Sequence, residues 1–338
     1  MLKRSCFLFF AALGSAICQA QIINAGFELP AVANGGFIDA TGWTSNGGGG
    51  VWNIFPGYGF FDAEAPEGSQ IGFSNSSAMA QQTGYAIKVG SNRIQVLGAR
   101  RDNDFAGSFA FQLWAGGTVA NGTVSGGTML GSSNYNHTTA APFSFTPMEV
   151  TYTASPGDPH IGSLMSVRFL KTAGQQMNYD EVKIGSPVAP VVPSGLTQEL
   201  GTPFGGGLSD VQASDDSHYF VLNDENEPTA RVRFDFGGLA LNPTYMTVTA
   251  EAAATRNDLS VFIQVGNQVS STYAQFVLGN STLTDTVYTY RSATNVHQVV
   301  SALGVARFKL VWIPNEDLVA EDGWSELVDH FQVEYYYH

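Results

Sequence analysis

Residues 331–337 read Phe-Gln-Val-Glu-Tyr-Tyr-Tyr, a stretch in which every second residue from the first is apolar or aromatic. Phe331, Val333, Tyr335 and Tyr337 therefore fall on one side of an extended chain, because successive side chains of a β-strand point to opposite faces. Such alternation predicts a strand with one buried face and one exposed face.

The same alternation recurs upstream, while sustained helical periodicity is almost absent. The chain contains 38 glycines, and clusters of Gly, Asn and Ser between the apolar stretches supply the positive-φ positions that tight turns need. Many short strands separated by turns predict an all-β fold of the sandwich type. The other alternating positions are Val261, Ile263, Val265, Phe308, Leu310 and Trp312.

Three prolines between residues 187 and 195 mark the clearest break in the chain. Proline removes a backbone donor and fixes φ, so this stretch favours an extended, semi-rigid spacer. We therefore predict two β-sandwich, jelly-roll-like domains joined by a Pro-rich linker. The predicted bounds are 21–186 for the first domain, 187–200 for the linker and 201–338 for the second domain.

Residues 1–20 have the features of a secretory signal peptide, because Lys3 and Arg4 precede a short apolar run. Both cysteines, Cys6 and Cys18, lie in this segment, so we expect no disulfide and no thiolate metal ligand in the mature protein. We expect a secreted protein, periplasmic or extracellular, without a membrane anchor, since no later apolar run approaches the about 20 residues that a spanning helix needs.

The charge balance argues against one class of partner. The formal net charge is −14, and no basic stripe interrupts the acidic surface. Such a surface repels phosphate backbones, so we expect no nucleic-acid partner.

The first half of the chain contains three short motifs in a recognisable order. It opens with Asn24-Ala-Gly-Phe-Glu28, reaches Gly42-Trp43, and closes with Asn178-Tyr-Asp180-Glu-Val-Lys-Ile184. This order resembles the galactose-binding-like jelly roll of secreted bacterial proteins, a fold of carbohydrate-binding modules, over about residues 22–185. The resemblance implies a β-sandwich with Trp43 in its core. Residues 201–338 resemble an uncharacterised secreted β module, and that likeness implies no activity.

The resemblance also implies a structural calcium ion, held by Glu28 and Asp180 where the opening and closing segments adjoin. Independently, Asp180 shares its parity in the last strand with Val182, so it points to the core, where an ionised carboxylate is costly unless it is paired or binds a metal. The same parity places Glu181 on the outer face. The alternative is that Asp180 caps a backbone amide and Glu28 lies in solvent.

Ligand-binding candidates lie in an aromatic stretch interleaved with glycines, residues 51–61. Sugar rings stack on exposed aromatic rings, so we interpret Trp52, Tyr58 and Phe61 as candidate ligand-binding residues. The alternative is that these rings fill the core, which is the commoner fate of large aromatic side chains.

Signatures of enzymes are missing from the sequence. It contains no H-E-x-x-H, G-x-S-x-G or phosphate-binding loop motif, so we expect a protein that is not an enzyme. We predict a secreted, non-catalytic binding protein for an extracellular polysaccharide or glycan. One alternative is a structural or adhesive protein of the envelope or matrix. Another is a glycan-active enzyme, or a jelly roll that has itself become a catalyst, as in the calcium-dependent cyclases that resemble this module.

Overall fold

The computed structural model describes residues 22–55, 57, 61, 63–75, 77–101, 105–223, 229–241, 243–292, 296–315 and 324–338, with the side chain of residue 297 excepted. The predicted signal peptide, residues 1–20, lies outside these ranges, as does Tyr58. Within them the regular structure consists of β-strands and two short 3-10 helices. No helix of the described ranges is long and apolar enough to cross a membrane.

Thirteen strands precede residue 185. They are β1 (Phe37–Ile38), β2 (Thr44–Ser45), β3 (Gly49–Asn53), β4 (Gln70–Ser74), β5 (Ala78–Ala86), β6 (Gly90–Ala99), β7 (Gly107–Ala115), β8 (Thr118–Ala120), β9 (Thr123–Ser125), β10 (Thr128–Tyr135), β11 (Phe145–Ala154), β12 (Leu164–Gly174) and β13 (Met177–Ile184).

The remaining elements follow residue 185. The strands are β14 (Ser186–Pro187), β15 (Gly195–Leu200), β16 (Thr202–Gly205), β17 (Tyr219–Leu222), β18 (Ala230–Phe236), β19 (Pro243–Ala254), β20 (Leu259–Asn267), β21 (Thr272–Asn280), β22 (Thr286–Ser292), β23 (Ala306–Pro314) and β24 (Ser325–Tyr337). The 3-10 helices span Leu208–Val211 and Val296–Gln298.

Eleven of the thirteen strands before residue 185 form two facing antiparallel sheets, which we call the first sandwich, and β8 and β9 pair only with each other. One sheet has the order β1-β3-β4-β13-β6-β11 and the other has the order β10-β7-β12-β5-β2. Their inner faces share an aromatic core, in which the rings of Phe169 and Tyr179 stack with centroids 3.8 Å apart. Trp43, predicted to be a core residue, packs on Phe169 with centroids 5.6 Å apart.

The strands after residue 185 form a second pair of antiparallel sheets, which we call the second sandwich. Their orders are β16-β17-β24-β19-β22 and β15-β18-β23-β20-β21. The predicted alternation is confirmed, because Val261, Phe308 and Phe331 all face a separate apolar core. Tyr337 is the exception, since it lies at the end of β24 and is 42% exposed. The all-β prediction is therefore confirmed.

The predicted linker, residues 187–200, lies against the second sandwich. The backbone N–H of Val188 donates to Tyr335 O (2.8 Å) and that of Val191 to Val333 O (2.9 Å). Residues 195–200 form β15, which pairs with β18. The prolines limit the donors but still allow alternate residues to bond, so this stretch is not a free spacer. The domain bounds themselves stay a prediction.

The two sandwiches meet along β13. The Lys183 ammonium lies 4.4 Å from the ring centroid of Tyr245 and 5.3 Å from that of Tyr336. The hydroxyl of Thr244 donates a hydrogen bond to the carbonyl of Ile184. The closing strand of the first sandwich therefore packs directly on the second.

Candidate cation site

Three segments of the first sandwich converge at this junction: the opening segment, the turn before β4, and β13. The N–H of Val182 donates to Ala25 O (3.0 Å), which joins the opening segment to the closing strand as predicted. The N–H of Glu67 donates to Asp180 Oδ2 (3.3 Å), which joins the turn to the same strand. The carboxylates gathered here, Glu28, Glu67, Asp180 and Glu181, are called the acidic centre below.

Glu28 occupies one side of the acidic centre. Its Oε1 accepts hydrogen bonds from the N–H groups of Ser69 (3.1 Å) and Gln70 (2.8 Å). Desolvation raises the pKa of this carboxyl, and the two backbone donors offset only part of that rise. The carboxyl lies over Gly68, where a Cβ would overlap it. Glycine is thus required at position 68 for Glu28 to lie here.

Glu67 lies between Glu28 and the closing strand. Its carboxyl packs against Gly26, again where a Cβ would overlap it. Its Oε2 is buried and has no hydrogen-bond partner among the described residues. Desolvation, and then the charges of Glu181 and Glu28, raise the pKa of Glu67 to about 8. The free carboxyl therefore holds a proton at neutral pH unless a cation replaces it.

Asp180 and Glu181 enter the acidic centre through a bulge in β13. The register with β6 shifts between Asp180 and Lys183, and Glu181 has a left-handed φ of 50°. Asp180 is completely buried, and its Oδ1 has no partner in the described part of the chain. Desolvation first, and then the charges of Glu67 and Glu181, hold the Asp180 pKa well above its usual range.

Glu181 was predicted on the outer face, and that prediction was wrong. The bulge adds one extra residue to β13 relative to its partner strand, so side chains inside the bulge no longer alternate strictly between the two faces. Glu181 is only 4% exposed and contacts Lys183 Nζ at 2.7 Å. The alternation of apolar residues in the sequence does not reveal this bulge. Val182 and Ile184 are buried, as they would be in a strand without one.

Two of the four carboxylates were predicted from the sequence as cation ligands, and two were not. Glu28 and Asp180 both belong to the acidic centre, but Glu67 is the carboxylate that neighbours Asp180. The available signal for Glu67 was its place before Gly68 in a turn, which is too common a feature to identify a ligand.

The donor chemistry of the acidic centre suits a hard cation. Calcium takes six to eight oxygen ligands from carboxylates and carbonyls, and two buried carboxylate oxygens here lack partners. As the side chains lie, no group of three or more His, Cys, Asp or Glu residues in the described ranges is placed to hold a metal ion. Cation binding therefore requires the carboxyl groups of the acidic centre to move closer to one another than they lie here.

The predicted aromatic ligand site is largely buried. Phe61 is 0% exposed and packs edge-on against Trp52 with centroids 6.3 Å apart, which agrees with the alternative that this ring fills a core. The aromatic stretch folds inward because these rings complete a small core of their own. Trp52 is also buried, and Tyr58 lies outside the described residues.

An edge of Trp52 nevertheless lines a cleft of about 190 Å³. Phe37 stands at its rim, 72% exposed, with its ring edge-on to Phe73 at 5.9 Å. The Arg101 guanidinium lies 5.3 Å from the Trp52 ring centroid. The lining residues are Gly35, Phe37, Trp52, Phe73, Asn75, Arg101 and Gln176. Phe37 is the accessible aromatic residue of this cleft, and it was not predicted from the sequence as a ligand-binding residue.

The first sandwich matches a known family. Residues 18–185 match the family model of the HpiC1-like proteins, described as HpiC1 cyclase. No curated protein sequence matches the chain. The match overturns the expectation that the protein is not an enzyme, because the matching family is one of cyclases. The absence of short motifs in the sequence was a poor guide, since such an absence does not exclude an enzyme.

Solved structures give more distant likenesses. A Stig cyclase from Fischerella sp. TAU, in complex with an indole compound, is 19% identical, covering 49% of this chain and 96% of its own, with a TM-score of 0.40. A tandem of two family 22 carbohydrate-binding modules from Paenibacillus barcinonensis is 11% identical, covering 90% of this chain and 99% of its own, with a TM-score of 0.30.

Proposed function

We propose that the protein is an exported, calcium-binding relative of the cyclases, with the acidic centre as its cation site and ring closure as the activity of the first sandwich. The observation that carries the proposal is Asp180, completely buried with one oxygen unpartnered and two further carboxylates beside it. Carboxylates buried this close together are strongly unfavourable as charged groups unless some of them hold protons or a bound cation neutralises them. The match to a cyclase family supports the activity.

The residues that would hold calcium are Glu28, Glu67, Asp180 and Glu181, with backbone carbonyls of the neighbouring turns. Bound calcium would neutralise these carboxylates and join the opening segment to β13. The strained backbone supports such a role, because Asn24, Phe27 and Glu181 all have left-handed φ values at this one place. Strain of this kind clusters at ligand sites, where the surrounding structure maintains it.

Calorimetric titration of the full chain with Ca²⁺ tests the cation site. We expect binding in the wild type and its loss in Asp180→Asn, which keeps the shape of the side chain but removes its charge. Glu149→Gln is the matched control, because Glu149 pairs with Arg93 on the surface of the same sandwich. Wild-type protein that releases no heat and gains no thermal stability in calcium would refute the site.

The activity is tested on a panel of open-chain small molecules. A cyclase that isomerises its substrate forms one ring σ bond at the expense of a π bond and returns any proton it removes, so the mass is unchanged. We expect a product of unchanged mass and altered retention time, and its loss on chelation of calcium. Conversion that continues at full rate in chelator and in Asp180→Asn would separate the activity from the acidic centre.

Glycan binding is a second candidate function, favoured by the Phe37 cleft. It combines an exposed ring with the amides of Asn75 and Gln176, which is the chemistry that holds a sugar ring. We expect Phe37→Ala to abolish binding in a glycan panel. Phe204→Ala is the control, since Phe204 is equally exposed, at 74%, but lies in the second sandwich. If the wild type binds none of the glycans in the panel, glycan binding is rejected.

A further inference from the structure

The second sandwich contributes a positive charge to the acidic centre. Arg291 lies on β22, the edge strand of its sheet. Its Nη1 donates to the carbonyl of Pro66 (2.8 Å), next to Glu67, and its Nε lies 3.5 Å from Glu181 Oε1. One guanidinium thus contacts both the turn and the closing strand of the first sandwich.

The same face of the second sandwich closes over the acidic centre. Tyr245 of β19 is completely buried, and its hydroxyl has no hydrogen-bond partner among the described residues. Lys183 lies over the Tyr245 ring and also contacts Glu181. Four carboxylates therefore share two nearby cations, Lys183 from the first sandwich and Arg291 from the second.

We propose that Arg291 is an intramolecular counter-ion of the acidic centre and sets its affinity for calcium by competing for the same carboxylates. This inference rests on the cation site proposed above. Lys183 belongs to the strand that carries the site, whereas Arg291 reaches it across the junction. Calcium binding therefore weakens the Arg291 contact and, with it, the attachment of the second sandwich.

The physical basis is electrostatic linkage. A guanidinium and a divalent cation placed within a few ångströms repel each other. Each also neutralises part of the negative charge of the carboxylates, and so weakens their attraction for the other cation. Linkage is reciprocal, so the factor by which Arg291 weakens calcium binding equals the factor by which calcium weakens the Arg291 contact. Arg291 is accordingly a positioning residue and not a calcium ligand.

Calcium affinity of the full chain is the first measurement. We expect Arg291→Gln to bind Ca²⁺ roughly tenfold more tightly than the wild type, a typical size for coupling between sites. Arg307→Gln is the matched control, because Arg307 lies in the same sandwich and pairs with Asp235 at 3.1 Å, away from the acidic centre. Its affinity should stay within about twofold of the wild type, as expected for a distant exposed charge.

Urea unfolding in chelator and in saturating calcium is the second measurement. Arg291→Gln should be less stable than the wild type in chelator. In saturating calcium the difference in free energy of unfolding should shrink by RT ln of the affinity ratio found in the titration, which is about 1.4 kcal/mol for a tenfold ratio. A merely structural role would give the same difference in both buffers. If Arg291→Gln does not fold, Arg291→Met keeps the aliphatic stem and permits the same comparison.

The outcomes separate the two proposals. Wild-type protein that binds no calcium overturns the cation site and this inference together. Wild-type protein that binds calcium, with unchanged or weaker binding in Arg291→Gln, overturns the role of Arg291 alone.

Discussion

The two sandwiches bury carboxylates in different ways. The first gathers four at the junction, where Lys183 and Arg291 contact Glu181 and the backbone is strained. The second buries Glu326 on β24, completely, with neither carboxylate oxygen bonded to any described residue. A group of converging carboxylates indicates a ligand site, whereas an isolated buried carboxyl is satisfied by holding its proton.

The largest expected effect tests whether the two sandwiches unfold separately. Phe331 is completely buried and stacks on Phe234 with centroids 4.0 Å apart. Phe331→Ala should destabilise the second sandwich by about 3–5 kcal/mol, and Phe169→Ala should do the same to the first. Scanning calorimetry should show each variant lowering one transition. A single transition lowered equally by both variants would contradict separate cores.

Glu326 should make the second sandwich lose stability as pH rises. Burial holds the pKa of this carboxyl well above its ordinary value of 4.5. When the pH is below 4.5, the Glu326 carboxyl is protonated in both the folded and the unfolded state. Above it only the unfolded state ionises, so the free energy of unfolding falls by about 1.4 kcal/mol per pH unit until the folded pKa is reached.

Chemical unfolding of the wild type and Glu326→Gln between pH 4.5 and 8 measures this slope. The amide keeps the neutral form, so Glu326→Gln should remove most of the decrease. Equal pH dependence in the two proteins would mean that Glu326 is ionised in the folded state.

A smaller effect is expected from a methyl group beside the acidic centre. In Gly26→Ala the new Cβ would overlap the Glu67 carboxyl, which must then move. We expect a loss of about 1–3 kcal/mol in the free energy of unfolding, together with weaker calcium binding. Gly207→Ala is the control, because a Cβ there meets open space and the φ of −167° is extended. A Gly26→Ala variant as stable as this control would show that Glu67 has room elsewhere.

The smallest effect is expected where a carboxylate of the first sandwich lies on the surface. Glu149 pairs with Arg93, and the side chain of Glu149 is 42% exposed. Glu149→Gln should change the free energy of unfolding by about 0.5 kcal/mol or less, because solvent screens exposed ion pairs. A loss as large as that of Gly26→Ala would remove the distinction between surface and buried carboxylates.

Much of the fold followed from local pattern. Alternation placed Phe308, Phe331 and Val261 on buried strand faces, since a strand exposes only one side to water. The burial of Phe61 was left open by the sequence. An aromatic-rich stretch predicts contact with an apolar surface, but it does not say whether that surface is a core or a ligand. Exposure at Phe37 depends on how β1 lies at the edge of its sheet.

The sequence by itself determined the all-β class and the buried position of Asp180, because side-chain periodicity and the cost of burying charge are local properties. Tertiary structure alone decided that Glu67 lies beside Asp180 and that a bulge turns Glu181 inward. It also decided that Arg291 of the second sandwich contacts Glu181. These contacts join residues up to 225 positions apart, in the bond from Arg291 to Pro66. Pairings of that range depend on how strands order and twist within sheets, which no window of sequence records.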